Sequence, residues 1–189
     1  YLVRDLDKED LTLFTALYQE ILSVKGETKV LLQTYFGDVR DAYESILALP
    51  FDGVGLDFLE GKETKNLVSK GFPKDKLLFA GLVNGKNIWR NHYEKTIEQI
   101  KDLENKGISV VLGTSCSLLH VPYTLEGENK LSAEIKSHFS FAVEKLSELL
   151  DLKRILDGNA QSEVLEENKA LFATARPNSE DKAVKDRCA

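Results

Sequence analysis

One pattern constrains this chain more than any other: a short apolar run, a polar turn, and then apolar residues at helical spacing, repeated along the sequence. The clearest copy is Leu77-Leu78-Phe79-Ala80-Gly81-Leu82-Val83, followed by Asn84-Gly85, the polar stretch Lys86 to Arg90, and a helix from Asn91. An unbroken apolar run is what a strand buried on both faces requires, and Asn-Gly is turn chemistry. Val30 to Phe36, closed by Gly37, opens another copy, with a helix from about Asp38 to Leu49 that Pro50 stops. Gly53 to Phe58 is the next strand, its two glycines marking close backbone approach to a neighbour, and Glu63 to Lys70 is its helix. Ile108 to Gly113 is the last strand. A loop from Thr114 to about Lys130 leads to the longest helix, with Leu131, Ile135, Phe139, Ala142, Leu146 and Leu149 in one stripe, stopped at Asp157-Gly158-Asn159. A further helix precedes the repeats, with Asp7 as its cap and Leu11, Phe14, Leu17, Tyr18, Ile21 and Leu22 on its apolar face. Asn91 and Glu94 have the spacing of a capping box for the helix after the third strand.

Strands alternating with helices at a short repeat imply parallel strands joined by helical crossovers. Eight such units in about 250 residues close a (β/α)8 barrel. The fold class expected here is α/β: half of a (β/α)8 TIM barrel, four parallel βα units after a leading helix, over residues 1–158. Residues 159–189 are read as a helical and then linker segment, polar after Pro177. A flavodoxin-like open sheet fits the same order, but no strand leads into G-x-G-x-x-G or a Walker loop.

Composition removes several function classes. The net charge of -6, with 31 acidic and 25 basic residues and no basic run, argues against nucleic acid. No apolar stretch reaches the ~18 residues of a membrane span, and no signal-peptide pattern opens the sequence. Two distant cysteines, Cys116 and Cys188, suit a reducing cytoplasm better than a disulfide framework. A chain that starts at Tyr1 and holds no Met is expected to be a piece of a longer polypeptide.

Few residues invite chemistry. Cys116 and His120, just past the fourth strand, suggest a thiol nucleophile, against the plainer reading of Cys116 as a small half-buried hydrophobe. Asp57, near a strand end, is a carboxylate ligand or base, or else a loop cap or an ion-pair partner of Arg90 or Lys86. Trp89 and Arg90 offer a stacking surface, or else pack the mouth of a barrel. Phe139 and Phe141 are expected in the core of the long helix. With three histidines in the chain, a complete zinc site of three or four Cys, His or carboxylate ligands is not expected. The residues alone give no catalytic, cofactor-binding or metal residue.

The sequence resembles cobalamin-independent methionine synthase. The residues that carry the resemblance are Leu32-Gln33-Thr34-Tyr35-Phe36-Gly37, Asp52-Gly53-Val54-Gly55-Leu56-Asp57, Phe79 through Arg90, Thr114 through Pro122, and Leu131-Ser132-Ala133-Glu134-Ile135-Lys136. The resemblance implies two (β/α)8 barrels in the whole protein, with this chain as the second half of the N-terminal one. It implies transfer of a methyl group from 5-methyltetrahydropteroyltri-L-glutamate, a folate polyglutamate, to homocysteine, giving methionine. It also implies a zinc ion, outside this segment and without cobalamin, that holds the homocysteine sulfur as thiolate. By internal repeat, Gln33 and Tyr35 stand at the His and Cys positions of the zinc-binding barrel, Asp57 at its Glu, and Cys116 at its last Cys. Neither Gln nor Tyr suits such a site, so no catalytic or metal residue carries over. Self-association through the open edges of a half barrel is a further expectation. Two rivals stay open: another enzyme of the same barrel superfamily, and a stand-alone binding or scaffold protein derived from the barrel.

Overall fold

A computed structural model describes residues 5–158, 162–173 and 187. The chain divides into two compact units, Tyr1–Asn84 with Gln99–Ser117, and Gly85–Glu98 with Leu118–Ala189.

The first unit holds the sheet. Its strands are β1 (Leu31–Gln33), β2 (Gly53–Asp57), β3 (Leu77–Val83) and β4 (Ser109–Thr114). They pair side by side in chain order, every pair parallel. Chain order without a switch point is the order of successive staves in a (β/α)8 barrel. The doubly wound alternative needs a reversal of strand order, which the described strands do not make. The register runs straight across, with Gly53 opposite Leu31 on one side and Leu77 on the other, and Leu77 opposite Ser109. Every residue of β2 is buried, as expected for a strand covered on both faces. Val54, Leu56, Leu78, Ala80 and Leu82 form the centre of the core.

Helix α1 (Lys8–Ser23) begins as the sequence expects. Asp7 Oδ1 accepts from the Glu9 and Asp10 amides at 2.9 Å, and Asp10 answers by accepting from the Asp7 amide. Two elements of this unit are shorter than expected. β1 ends at Gln33 rather than Phe36, because its chain then turns through Phe36 at φ 66° and Gly37 at φ 115°. α2 (Tyr43–Ala48) starts well after Asp38. The Asp38 carboxylate grips Arg40 (2.6 Å to Nε) and accepts from the Glu63 amide, which fixes a turn instead of a first helical turn. α3 (Thr64–Lys70) ends at Gly71, as expected. Below the strands, Asp52 accepts from Lys25 (2.6 Å), Lys29 (3.0 Å) and the Val30 amide (2.8 Å), tying the start of β2 to the approach to β1. The Lys25 hydrogen bond, helped by Val30 and Lys29, holds this carboxyl far below its ordinary range.

Helix α4 (Tyr93–Asn105) begins one residue later than an Asn91 cap requires. The acceptor for the Tyr93 amide is instead Asn168 Oδ1, at 2.9 Å, and Asn91 Oδ1 accepts from the Thr96 hydroxyl. In the second unit the long helix is interrupted. It becomes α5 (Ala133–Ser137) and α6 (Ala142–Leu156), followed by α7 (Ser162–Ala173). At the break, Phe139 forms an antiparallel bridge with Trp89, the Arg90 amide donates to His138 O, and the Ser140 amide donates to Ile88 O. Strand-like pairing with residues 88–90 takes the backbone groups that a continuous helix would have used, which no periodicity reveals. The buried face of α6 therefore differs from the expected stripe. Phe141, Lys145, Glu148 and Leu152 are buried, while Leu146 and Leu150 are exposed. Helix α7 occupies part of the segment read as weakly helical; the polar stretch after Pro177 lies outside the described residues, apart from Arg187. No helix among the described residues is long and apolar enough to cross a membrane.

Candidate functional site

The carboxyl ends of β1 to β4 lie at one end of the sheet, where Gln33, Thr34, Asp57, Ser115 and Cys116 fall at or just past successive strand ends, Gln33 level with Gly55 and Asp57 with Gly81. Such an end is where parallel α/β folds place their sites. Gln33 lies over Gly55: a β-carbon on Gly55 would meet the Gln33 amide group. The Thr34 hydroxyl donates to Gly55 O at 2.7 Å, closing the end of β1 onto β2. Tyr35 is partly exposed, with its ring edge-on to Phe36 at 5.2 Å.

Asp57 is 1% exposed, and its Oδ1 accepts from the Leu59 and Glu60 amides, both at 2.9 Å. It is thus a loop cap, the plainer of its two readings, although its Oδ2 is buried without a hydrogen-bond partner. The Thr64 hydroxyl donates to Asp57 O at 2.7 Å, and Gly61 leaves room for that contact. Arg90 pairs with Glu148 (Nε to Oε1 3.7 Å) rather than serving Asp57. Cys116 is buried, with its Sγ 3.6 Å from Ser117 O, whereas His120 is exposed on a short 3-10 turn. A buried thiol of this kind behaves as a small hydrophobe. Among the described residues, no three His, Cys, Asp or Glu side chains gather as a metal site needs. Gln33 offers an amide and Tyr35 a phenol where zinc would demand imidazole or thiolate, so this strand-end set does not fit zinc.

The polar groups that the sequence left unremarked are in the second unit. Lys145 and Glu148 sit on the buried face of α6, 0% and 1% exposed. Lys145 Nζ donates to Trp89 O at 3.1 Å, and Glu148 Oε1 accepts from the Asn91 amide at 2.9 Å. Burial pushes the Glu148 carboxyl above its ordinary value, against the opposing pull of the Asn91 amide, Lys145 and Arg90. The Tyr93 hydroxyl donates to Asp151 at 3.1 Å, and burial raises its pKa. A cavity of about 370 Å³ lies among Arg90, Tyr93, Ser137, Asp151 and Asn168. Trp89 packs on Phe139 at 5.2 Å between ring centres. Phe141 is buried and Phe139 half-buried, both at the break rather than inside a helix. The only hint of this network in the sequence is a Lys and a Glu three apart between buried apolar positions, a pattern that solvated helix faces share. These groups anchor backbone, and no nucleophile beside a base emerges among them.

Residues 1–107 match the family model described as the N-terminal domain of cobalamin-independent synthase. A 5-methyltetrahydropteroyltriglutamate–homocysteine methyltransferase of Lactococcus lactis subsp. cremoris (strain SK11) is 57% identical over 172 residues, 90% of this chain but 22% of the relative. The protein of the same name from Campylobacter jejuni (strain RM1221) is 52% identical over 188 residues, 99% of this chain and 25% of the relative. The chain thus spans about a quarter of the length of these relatives. With the family model covering more than half of its residues and the sheet in the expected order, the chain belongs to the cobalamin-independent synthase family and corresponds to part of its N-terminal domain.

Proposed function

We propose that this chain is the second half of the N-terminal barrel of a methyltransferase that makes methionine, and that it supports the enzyme without carrying its chemistry. In this reading the complete polypeptide moves the methyl group of 5-methyltetrahydropteroyltri-L-glutamate to the homocysteine thiolate in the cytoplasm. The resemblance places a zinc ion outside this chain, where it would favour the thiolate form of homocysteine. Residues 1–158 serve as the half barrel and residues 159–189 as the segment that follows it. Folate polyglutamate and homocysteine are partners of the whole protein, and no catalytic, cofactor-binding or metal residue is assigned within the chain. The observation that carries this reading is the strand-end set. Its positions are filled by Gln33, Tyr35, a capping Asp57 and a buried Cys116 in a chain closely similar to a quarter of these methyltransferases.

The test is methionine formation without cobalamin, measured for the isolated chain and for the polypeptide that contains it. Turnover is expected only from the longer polypeptide, and Gln33→Ala, Tyr35→Phe and Cys116→Ala within it should each keep kcat within about threefold. Turnover by the isolated chain, or loss of chemistry in a stable Cys116→Ala variant, would overturn the proposal. Inactivity of the longer polypeptide would favour the scaffold reading instead.

A further inference from the structure

Helix α7 fastens onto the start of α4 through three side chains on one of its faces. Asn168 is buried, and its amide makes two bonds: Oδ1 accepts from the Tyr93 N–H at 2.9 Å, and Nδ2 donates to Asn91 O at 3.0 Å. One turn further on, the Phe172 ring stacks on His92, 4.4 Å between centres and 24° from parallel. Lys169 pairs with Glu94 at 3.3 Å. Positions 168, 169 and 172 thus hold residues 91 to 94, which open α4 directly after the loop ending in Trp89 and Arg90.

A helix start needs an acceptor for its first amides. Here the acceptor for Tyr93 comes from a residue 75 positions later in the chain. The Asn91 peptide is gripped on both sides, its N–H by Glu148 of α6 and its carbonyl by Asn168 of α7. The loop before it is bonded to the 138–140 break and to Lys145. We infer that α7 is a releasable clasp: its docking sets the order of the β3-to-α4 loop over residues 85–90 and of the first turn of α4. When α7 lifts, Tyr93 loses its acceptor, His92 loses its stacking partner, and the loop loosens as far as the α6 contacts allow. The inference does not depend on the methyltransferase reading, since it concerns which segments open together.

Hydrogen exchange on the longest polypeptide that contains this chain tests it, read in peptides covering residues 85–98. Asn168→Ala should speed exchange at Tyr93 about tenfold, the scale of a lost cap plus a lost buried hydrogen bond. The acceleration should spread to residues 85–90, and Phe172→Ala should reproduce it. Asn168→Asp keeps the acceptor oxygen and should restore most of the protection at Tyr93. Acceleration confined to Tyr93, with residues 85–90 unchanged, would overturn the clasp and leave an ordinary cap. Native-state exchange of the unaltered protein in rising denaturant decides the matter even if a variant fails to fold. Amides of α7 and of residues 85–90 should open in one step of equal free energy, and separate openings would refute the coupling.

Discussion

Two glycines in the sheet look alike in sequence but should respond very differently to alanine. At Gly81 in β3, an added β-carbon would lie 2.8 Å from Ser115 Cα, 2.9 Å from Leu56 O and 3.1 Å from Thr114 O. All three are backbone atoms, belonging to the strand or strand end on either side. Relief requires spreading the sheet where β3 and β4 already shift register between Gly81 and Val83. Overpacking of this kind costs roughly 1–3 kcal/mol or more, and the upper end is expected because no side chain can yield. At Gly55 in β2, the three atoms nearest the added carbon all belong to the Gln33 side-chain amide. Gln33 is exposed and can swing aside, so the clash is largely relieved. The lower unfolded-state entropy of Ala, about 0.4–1 kcal/mol, then offsets part of what remains. Gly81→Ala should therefore lose about 3 kcal/mol and Gly55→Ala less than about 1 kcal/mol. With an m-value of about 2 kcal/mol/M in urea, the midpoints should fall by about 1.5 M and less than about 0.5 M. Urea melts of the two variants against the parent, followed by circular dichroism, give both numbers. An equal or larger loss at Gly55 would refute the account of which atoms can move.

Other predictions concern charge and access. Burial and the nearby Lys95 charge lower the His92 pKa in the folded protein. The neutral ring is therefore favoured by folding, and the stabilisation is complete above the unfolded value of about 6.5 and lost as pH falls below it. His92 should titrate below free histidine by NMR, and His92→Phe should flatten the stability profile between pH 7 and 5. Glu148→Ala removes the acceptor of the Asn91 amide and leaves Lys145 without its neighbouring carboxylate; a loss of about 3 kcal/mol is expected, against a smaller loss for Glu148→Gln, both read from thermal melts. Because burial raises the Glu148 pKa, its ionisation disfavours folding as pH rises through the folded value. Glu148→Gln should remove that part of the pH dependence. Cys116 should resist a thiol reagent in the folded state and react rapidly in denaturant, checked by peptide mapping of the label.

Part of the apolar surface of α1 is exposed. Leu13, Leu17 and Ile21 of α1 recur at helical spacing yet are each more than half exposed. An eight-stave barrel would give such a helix a neighbour, so these positions agree with a chain that carries four of the staves.

What the sequence determined by itself was the local code. An unbroken apolar run made β3 legible, because a strand buried on both faces leaves little room for polar positions. Asp7 announced α1, and Gly71 ended α3, because caps and left-handed turns depend on neighbours in the chain. The βα repeat then implied parallel strands. The tertiary structure decided what depends on partners far along the chain. It broke the long helix at 138–141, because pairing with residues 88–90 satisfied the same backbone groups. It moved the buried face of α6 onto Lys145 and Glu148, whose cost of burial is tolerable only beside Trp89 O and the Asn91 amide. It also took the capping of α4 away from Asn91 and gave the Tyr93 amide to Asn168. Hydrogen bonds spanning 56 to 77 residues leave no periodic trace, because a donor's partner is chosen by the fold and not by spacing.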